Sequence, residues 1–259
     1  MIDLHSHILP QIDDGSRSAE ETFELLSEAA SVGFTDIIFT PHFIEGYYDK
    51  NAAEICALAN AIKAGCEKKN IQLNLYTGNE LYFSKNIVHL IKSGNASSLN
   101  ESRYALFEFP LQERPMDLFE CIYALQEYKY VPVLAHPERY PFIQKEPELI
   151  YEFAKAGVLF QCNYCSILGQ YGKKAKLIVE KMLEADLVSF LGSDVHRKNT
   201  IYPKIPLAMK KIESIVGKRK LKAITESNQK TVIENGEVNA PEAKEIKLSF
   251  FDKMILNHK

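Results

Sequence analysis

Five of the seven histidines in this chain, His5, His7, His42, His136 and His196, sit in short motifs at the ends of apolar, β-branched runs. His5 and His7 flank Ser6, His42 follows Thr40-Pro41, His136 precedes Pro137, and Asp194 and His196 bracket Val195. Glu80 follows Gly78-Asn79, Glu108 lies in Phe107-Glu108-Phe109, and Asp14 belongs to the loop Asp13-Asp14-Gly15. Residues two apart in an extended chain lie on one side, so His5 pairs with His7 and Asp194 with His196. Taken singly, a strand-end histidine is an ordinary hydrogen-bonded residue and a loop aspartate a turn former. Five histidines and four carboxylates at equivalent places read instead as a ligand set.

Nine ligands are too many for one four-coordinate zinc. They suit two or three divalent ions with mixed nitrogen and oxygen coordination, such as manganese, iron or zinc. Three such ions would set six positive charges against four carboxylates, an excess of about two. That excess attracts a phosphate dianion more than a neutral amide. Ions so placed bring a bridging water near neutrality in pKa and stabilise attacking and leaving oxygens. The chemistry to which this pattern points is hydrolysis of a phosphate ester.

Strand-like runs that would position these residues are predicted over 2–5, 36–40, 73–78, 104–109, 131–135, 158–163 and 188–192. Helical stretches alternate with them. Ser18 with Glu21 forms a capping box, Phe23, Leu26 and Ala30 follow at helical spacing, and Gly33 stops the helix. Asn51 with Glu54 opens a second helix with Ile55, Leu58, Ile62 and Cys66 on one face, and Pro115 starts another with Leu118, Ile122 and Leu125 inward. Less regular helices cover 85–93, 146–156, 172–185 and 204–217. This alternation means parallel strands joined by crossovers, in an open doubly wound sheet or a closed barrel. In both, sites assemble at the carboxyl ends of strands, where six of the seven runs carry a ligand. No linker or repeat divides the chain, so one domain is expected over 1–240. Residues 241–259 begin polar and turn apolar at 248–251, forming a docked terminal helix or a mobile tail.

The 31 basic and 34 acidic residues leave a net charge of −3, with no basic field or stripe to draw in nucleic acid, which sets a nuclease aside. No run approaches the ~18 apolar residues of a membrane span, and the first residues lack the pattern of a signal peptide. A chain of 259 residues buries a core without staples, so the odd set Cys56, Cys66, Cys121, Cys162 and Cys165 reads as reduced thiols with a cytoplasmic address. None has an arginine six residues on, so the Cys-x5-Arg loop of thiol phosphatases is absent. Cys66 and Cys121 are expected to pack in the core. The Cys162/Cys165 pair lacks the companions of a zinc site, and a redox or accessory metal role stays open. No dinucleotide or Walker loop is present.

Together, His5-Ser6-His7, Asp13-Asp14-Gly15, Thr40-Pro41-His42, Gly78-x-Glu80, Glu108, His136-Pro137-Glu138-Arg139-Tyr140 and Gly192-Ser193-Asp194-x-His196 resemble the polymerase-and-histidinol-phosphatase (PHP) superfamily. In order and spacing they are similar to the bacterial manganese-dependent protein-tyrosine phosphatases of capsule and exopolysaccharide synthesis. The resemblance runs from residue 1 to about 200. It implies a distorted TIM-like (β/α)7 barrel and three divalent ions, manganese first, with iron or zinc as alternatives. By motif position, His5, His7, Glu80 and Asp194 would hold the first, and Glu80 would bridge to a second held by Glu108 and His136. Asp14, His42 and His196 would hold the third. Arg139 matches a phosphate-binding arginine, and its planar fork suits a tetrahedral anion, against the plainer reading of a surface salt bridge. Arg197 is a second candidate, although its spacing after His196 differs from the family's. The implied partner is a phosphotyrosine protein, the tyrosine-rich tail of a bacterial tyrosine kinase controlling polysaccharide export. Two departures stand out. Gln11 replaces a common glycine, which alters only loop flexibility, and Phe43 removes a second histidine after His42.

The expected reaction is in-line attack on phosphorus by a metal-bridged hydroxide, with the phosphate oxygens spread over the metals and Arg139. A phenolate leaves readily because its conjugate acid has pKa ~10, so strong acid catalysis is unnecessary. A metal-bound water or His42 would supply any proton. The nearest rival is a histidinol-phosphate phosphatase, against which Tyr47, Tyr48, Tyr82, Tyr140 and Tyr164 offer the lining of an aryl-phosphate cleft. A metal amidohydrolase would carry a lysine on the fourth strand, where this chain has Glu108. A regulatory metal-binding scaffold is the non-enzymatic alternative.

Overall fold

The computed structural model describes residues 1–240 and 242–257, so positions 241, 258 and 259 of the expected tail lie outside it. The first half runs β1 (Ile2–Asp3), α1 (Ala19–Ser31), β2 (Asp36–Phe39), β3 (His42–Phe43), α2 (Ala52–Lys68), β4 (Asn74–Thr77), β5 (Glu80–Tyr82), α3 (Ile87–Lys92) and β6 (Tyr104–Glu108). It continues with α4 (Glu120–Glu127), β7 (Val131–Ala135), α5 (Pro141–Lys145), α6 (Leu149–Lys155), β8 (Leu159–Asn163), α7 (Lys173–Glu184) and β9 (Val188–Gly192). Three helices close the chain: α8 (Ile205–Lys222), α9 (Asn228–Ile233) and α10 (Phe250–Asn257).

Every named ladder is parallel, as the strand–helix alternation requires. The strands divide into a sheet ordered β1-β2-β4 and another ordered β3-β5-β6-β7-β8-β9, rather than one continuous seven-stranded ladder. Two expected runs are broken in the middle. Pro41 has no N–H to donate, and β2 stops before it and resumes as β3. Beside it, β4 stops at Thr77 and resumes as β5 at Glu80. Single hydrogen bonds carry the alignment across the break, from Gly78 N–H to Phe39 O at 2.8 Å and from Glu80 N–H to Pro41 O at 3.1 Å. At the opposite edge, Asp194 N–H donates to His5 O at 2.8 Å and His7 N–H to Val195 O at 3.0 Å. These bonds tie the segment after β9 to the segment after β1.

Strands β6, β8 and β9 are buried along their whole length, whereas β4 at the edge of its sheet is partly exposed. Ala105, Phe107, Leu134, Phe160 and Leu191 join the larger apolar cluster with the helices, while Leu4, Ile38, Leu106, Val133, Leu159 and Phe190 meet in a second cluster of their own. Near-continuous apolar runs such as 104–107 follow from this double burial.

The local capping signals are only partly realised in the helices. Asn51 and Glu54 form the full capping box of α2. At α1, Ser18 accepts from Glu21 N–H, but the Glu21 carboxylate accepts from Arg17 N–H, so that box is only half built. Helix α4 begins at Glu120 and not at Pro115, because Asp117 Oδ1 accepts from Phe119 and Glu120 N–H and holds the preceding residues in a turn. Gly217, at φ 75°, kinks α8. Gln11 adopts φ 59°, so the loss of a glycine there bears on a left-handed backbone position and not on flexibility alone. Phe43 is core. No helix among the described residues is long and apolar enough to cross a membrane.

Candidate metal centre

Each candidate ligand stands at or just past a strand end: His5 and His7 after β1, His42 on β3, Glu80 on β5, Glu108 closing β6, His136 after β7, and Asp194 and His196 after β9. Asp14 lies in the loop before α1. His5, His7, Glu80, Glu108, His136 and Asp194 are buried, His42 and His196 partly exposed, and Asp14 the most open.

Glu80 is central. Its Oε2 lies 3.2 Å from His5 Nε2, 3.2 Å from His7 Nε2 and 3.0 Å from His42 Nδ1, and its Oε1 lies 2.8 Å from His136 Nε2. Asp194 Oδ1 sits 3.7 and 3.5 Å from the same His5 and His7 nitrogens and 3.6 Å from His196 Nδ1. Glu108 Oε1 is 2.9 Å from His42 Nδ1, and Asp14 Oδ1 is 3.3 Å from His196 Nε2 and 3.6 Å from His42 Nε2. Three groups have ligand atoms within 4.8 Å of one another: His5, His7 and Glu80; His42, Glu80 and Glu108; and His7, Asp14, His42 and His196. All nine expected ligands are thus brought together, with His7, His42 and Glu80 each reaching two groups. His136 and Asp194 join through their contacts with Glu80, His5 and His7.

Surrounding groups decide which imidazole nitrogen faces inward. Asn163 Nδ2 donates to Asp194 Oδ2 at 2.7 Å, Gln161 Nε2 donates to Asn163 Oδ1 at 2.9 Å, and Gln161 Oε1 lies 2.6 Å from His5 Nδ1. In this chain Gln161 Oε1 must accept, so His5 Nδ1 carries the proton and Nε2 the lone pair. Asp13 Oδ2, 2.7 Å from His7 Nδ1, fixes His7 in the same way and also accepts from His42 N–H. The two Nε2 atoms then face each other at 3.0 Å. With both rings neutral these lone pairs converge with no donor between them, and Glu80 Oε2 and His42 Nδ1 have no hydrogen-bond partner despite their short separation. Burying such atoms costs free energy unless a proton or cation takes the lone pairs. The donor set fits divalent ions of the manganese, iron or zinc type.

The electrostatics agree. Burial opposes a charge on Glu80, yet His5, His42 and His136 hold its carboxyl well below the usual range. Burial likewise opposes Asp194, and Arg139 and then His5 outweigh it. Burial and neighbouring His42 work against a charge on His7, but Asp13 and Glu80 raise it to about 10. The carboxylates therefore draw positive charge into the cluster, which is what a bound cation supplies. Two candidate ligands sit on strained backbone, His136 at φ 34° and Asp194 at φ 52°. Such conformations cost about 1–3 kcal/mol each and persist where the surroundings over-determine them.

Arg139 reaches this face from the turn after β7. Its Nη1 donates to Asp194 Oδ2 at 2.6 Å, and its guanidinium lies 4.6 Å from the Tyr171 ring centroid. It is not a surface pair, because Asp194 is buried. Arg197 is turned to backbone instead: its Nη1 donates to Gly15 O and His196 O, tying two loops together. Of the tyrosines, Tyr140 and Tyr164 are fully buried and line no open cleft, while Tyr47 is exposed and Tyr48 partly so. Cys162 faces Met182 Sδ and Cys165 faces Ile201 O, so the pair does not converge. The residues that sequence reading missed are Gln161, Asn163 and Tyr171, with Asp13 noted only as part of a motif. The available signal was polar Gln161 and Asn163 alternating within the apolar run of β8.

Fold and site together define the class: a parallel α/β protein whose strand ends carry a histidine and carboxylate cluster with the donor set for divalent cations. The chain belongs to the capsular polysaccharide synthesis family CpsB/CapC, whose pattern matches residues 1–234. It is 38% identical to CapC of Staphylococcus aureus over 196 residues, covering 76% of this chain and 77% of that protein. It is 34% identical to the tyrosine-protein phosphatase YwqE of Bacillus subtilis over 200 residues, 77% of this chain and 79% of that one. A crystal structure from work on YwqE of Bacillus subtilis and CpsB of Streptococcus pneumoniae, described as unique metal-dependent tyrosine phosphatases, matches with a TM-score of 0.90 at 29% identity. That match covers 96% of this chain and all of the other.

Proposed function

We propose that this chain is a metal-dependent protein-tyrosine phosphatase that hydrolyses phosphotyrosine in proteins. The observation that carries this reading is the gathering of nine candidate imidazole and carboxylate ligands at one face, four of the histidines within 3.2 Å of Glu80, with lone pairs of the neutral rings turned inward. Its relatives named as tyrosine phosphatases support the substrate class over histidinol phosphate.

We assign His5, His7, Glu80 and Asp194 to one ion, Glu80, Glu108 and His136 to a second, and Asp14, His42 and His196 to a third, with manganese the first choice. Those residues would hold divalent ions, which would supply positive charge for the phosphate oxygens and acidify a bound water. Arg139 supplies the remaining charge: with Nη1 held by Asp194, its other N–H groups are free to fork onto a phosphate oxygen. Both nitrogens of His42 face carboxylates, so we keep His42 as a ligand rather than a proton donor. A phenolate with conjugate-acid pKa ~10 leaves without strong acid help. Arg197 braces the loop that carries Asp14.

We read the two parallel sheets as one distorted (β/α)7 barrel, supported by the inner cluster shared by residues from both sheets. The catalytic unit then spans 1–240, and 241–259 is a tail whose α10 docks on α7. We place the protein in the cytoplasm, in keeping with five free cysteines. The partner is a phosphotyrosine protein, and the resemblance points to the tyrosine-rich tail of a bacterial tyrosine kinase.

The test is turnover of a phosphotyrosine peptide beside histidinol phosphate with manganese-loaded protein, before and after thiol blocking. Hydrolysis of the peptide that survives thiol blocking is expected. Turnover of histidinol phosphate alone would overturn the substrate, and loss of activity on blocking with the metals still bound would overturn the mechanism.

A further inference from the structure

Beyond the metal ligands and Arg139, one feature of the site's rim has no part in holding phosphate. The turn after β3 is closed by paired backbone bonds between Ile44 and Tyr48, with Ile44 N–H donating to Tyr48 O at 2.8 Å and Tyr48 N–H to Ile44 O at 2.9 Å. Gly46, at φ 77°, makes the tight reversal possible, and a Cβ there would meet nothing. This small flap carries two adjacent tyrosines. The Tyr48 ring lies nearly parallel to the His42 imidazole, at 13° with centroids 6.1 Å apart. Tyr47 packs on Tyr48 with centroids 4.5 Å apart and remains 71% exposed. Tyr47 therefore leaves most of a large aromatic side chain to solvent beside the site. His42 borders two of the three ligand groups, so Tyr48 stands one ring outward from where a phosphate would sit.

We infer that Tyr47 and Tyr48 form the platform for the aryl ring of the substrate and set the preference for aryl over alkyl phosphate esters. The inference rests on the phosphotyrosine reading above and names the residues that deepen it. A phosphotyrosine held by its phosphate projects its ring outward, and aromatic faces at the rim offer offset or edge contacts to it. A phosphoserine side chain is too short and has no ring to use them. The tyrosine hydroxyls are not required, so phenylalanine serves equally.

Manganese-loaded wild type, Tyr47→Ala, Tyr48→Leu and the double Tyr47→Phe/Tyr48→Phe variant are compared on phosphotyrosine and phosphoserine peptides. Inorganic phosphate serves as competing inhibitor. The Ala and Leu variants are expected to raise KM for phosphotyrosine about tenfold, equivalent to ~1.4 kcal/mol, with kcat little changed. Phosphoserine turnover and phosphate inhibition should stay as in wild type, and the double Phe variant should behave as wild type. Tyr47→Ala removes only an exposed side chain, so it separates recognition from folding. An unchanged ratio of phosphotyrosine to phosphoserine KM in Tyr47→Ala and Tyr48→Leu would overturn the inference. Equal weakening of inorganic phosphate would also overturn it, by locating the effect at the metals. Should wild type turn over neither peptide, the functional reading falls separately. Binding of phenylphosphonate against methylphosphonate then decides the platform, with loss of the phenyl preference in Tyr47→Ala expected and retention contradicting it.

Discussion

Asp13 and Gln161 do as much for the cluster as the ligands they touch, because they set which nitrogen of His7 and His5 faces inward. Removing such a partner ordinarily costs 10- to 100-fold in metal affinity. Asp13→Ala is therefore expected to weaken manganese binding by about that factor, read by calorimetric titration; wild-type affinity would contradict it. A second consequence concerns protons. The His7 pKa, raised from 6.5 to about 10 by Asp13 and Glu80 against burial and His42, means that His7 is protonated at neutral pH in the ion-free protein. That proton stabilises the ion-free fold fully below pH 6.5, a contribution lost as pH rises through about 10. Ligation needs the neutral ring, so manganese loading at pH 7 should release protons, and affinity should climb with pH toward 10. Titration in buffers of different ionisation enthalpy measures the release; none detected would contradict the account. The nine candidate ligands were legible as a cluster because their types are costly to bury and fall in motifs. Gln161 and Asn163 were not, since an amide on the surface and an amide supporting a buried histidine look alike in sequence.

At the level of elements, the positions of the strands and their parallel pairing were legible from β-branched runs, while their interruptions and their division into two sheets were not. The breaks at Pro41 and Gly78-Asn79 depend on cross-strand partners that periodicity does not report. Helix α4 was misplaced because Pro115 suits a first turn, yet Asp117 captures the backbone N–H groups first. Packing between β9 and the segment after β1 is equally invisible in sequence. A Cβ on Gly192 would stand 2.7 Å from His5 Cβ and 2.8 Å from Gln161 Nε2. Gly192→Ala should therefore destabilise the fold by about 1–3 kcal/mol and also weaken manganese binding, since it displaces a ligand together with the residue that orients it. Chemical denaturation and metal titration check the pair, and an unchanged denaturation midpoint would contradict the packing.

On the scale of the whole molecule, chemistry and stability occupy different regions. The ligands gather at the carboxyl ends of the strands, and α10 lies on α7 and α5, where Leu256 is buried and Asp252 sits 3.6 Å from Lys181. Sequence left this segment open between docked helix and mobile tail, because its one buried leucine is surrounded by exposed Phe250, Phe251 and Met254. Deleting 250–259 should lower stability by about 1.5–3 kcal/mol, the worth of one buried leucine, and leave phosphatase turnover intact. Thermal unfolding beside an activity assay tests this, and lost turnover would place the tail in the catalytic machinery. Whether the converging ligands bind the ions that make this chain a phosphatase is decided most directly by stripping the protein, restoring manganese stepwise, and measuring bound ions and phosphotyrosine-peptide turnover on the same samples, with Asp194→Ala beside wild type. Turnover should be absent without metal, rise to a plateau as three ions per chain load, and be lost in the variant. Full turnover in the stripped protein, or unaltered turnover in Asp194→Ala, would contradict that role for the ligands.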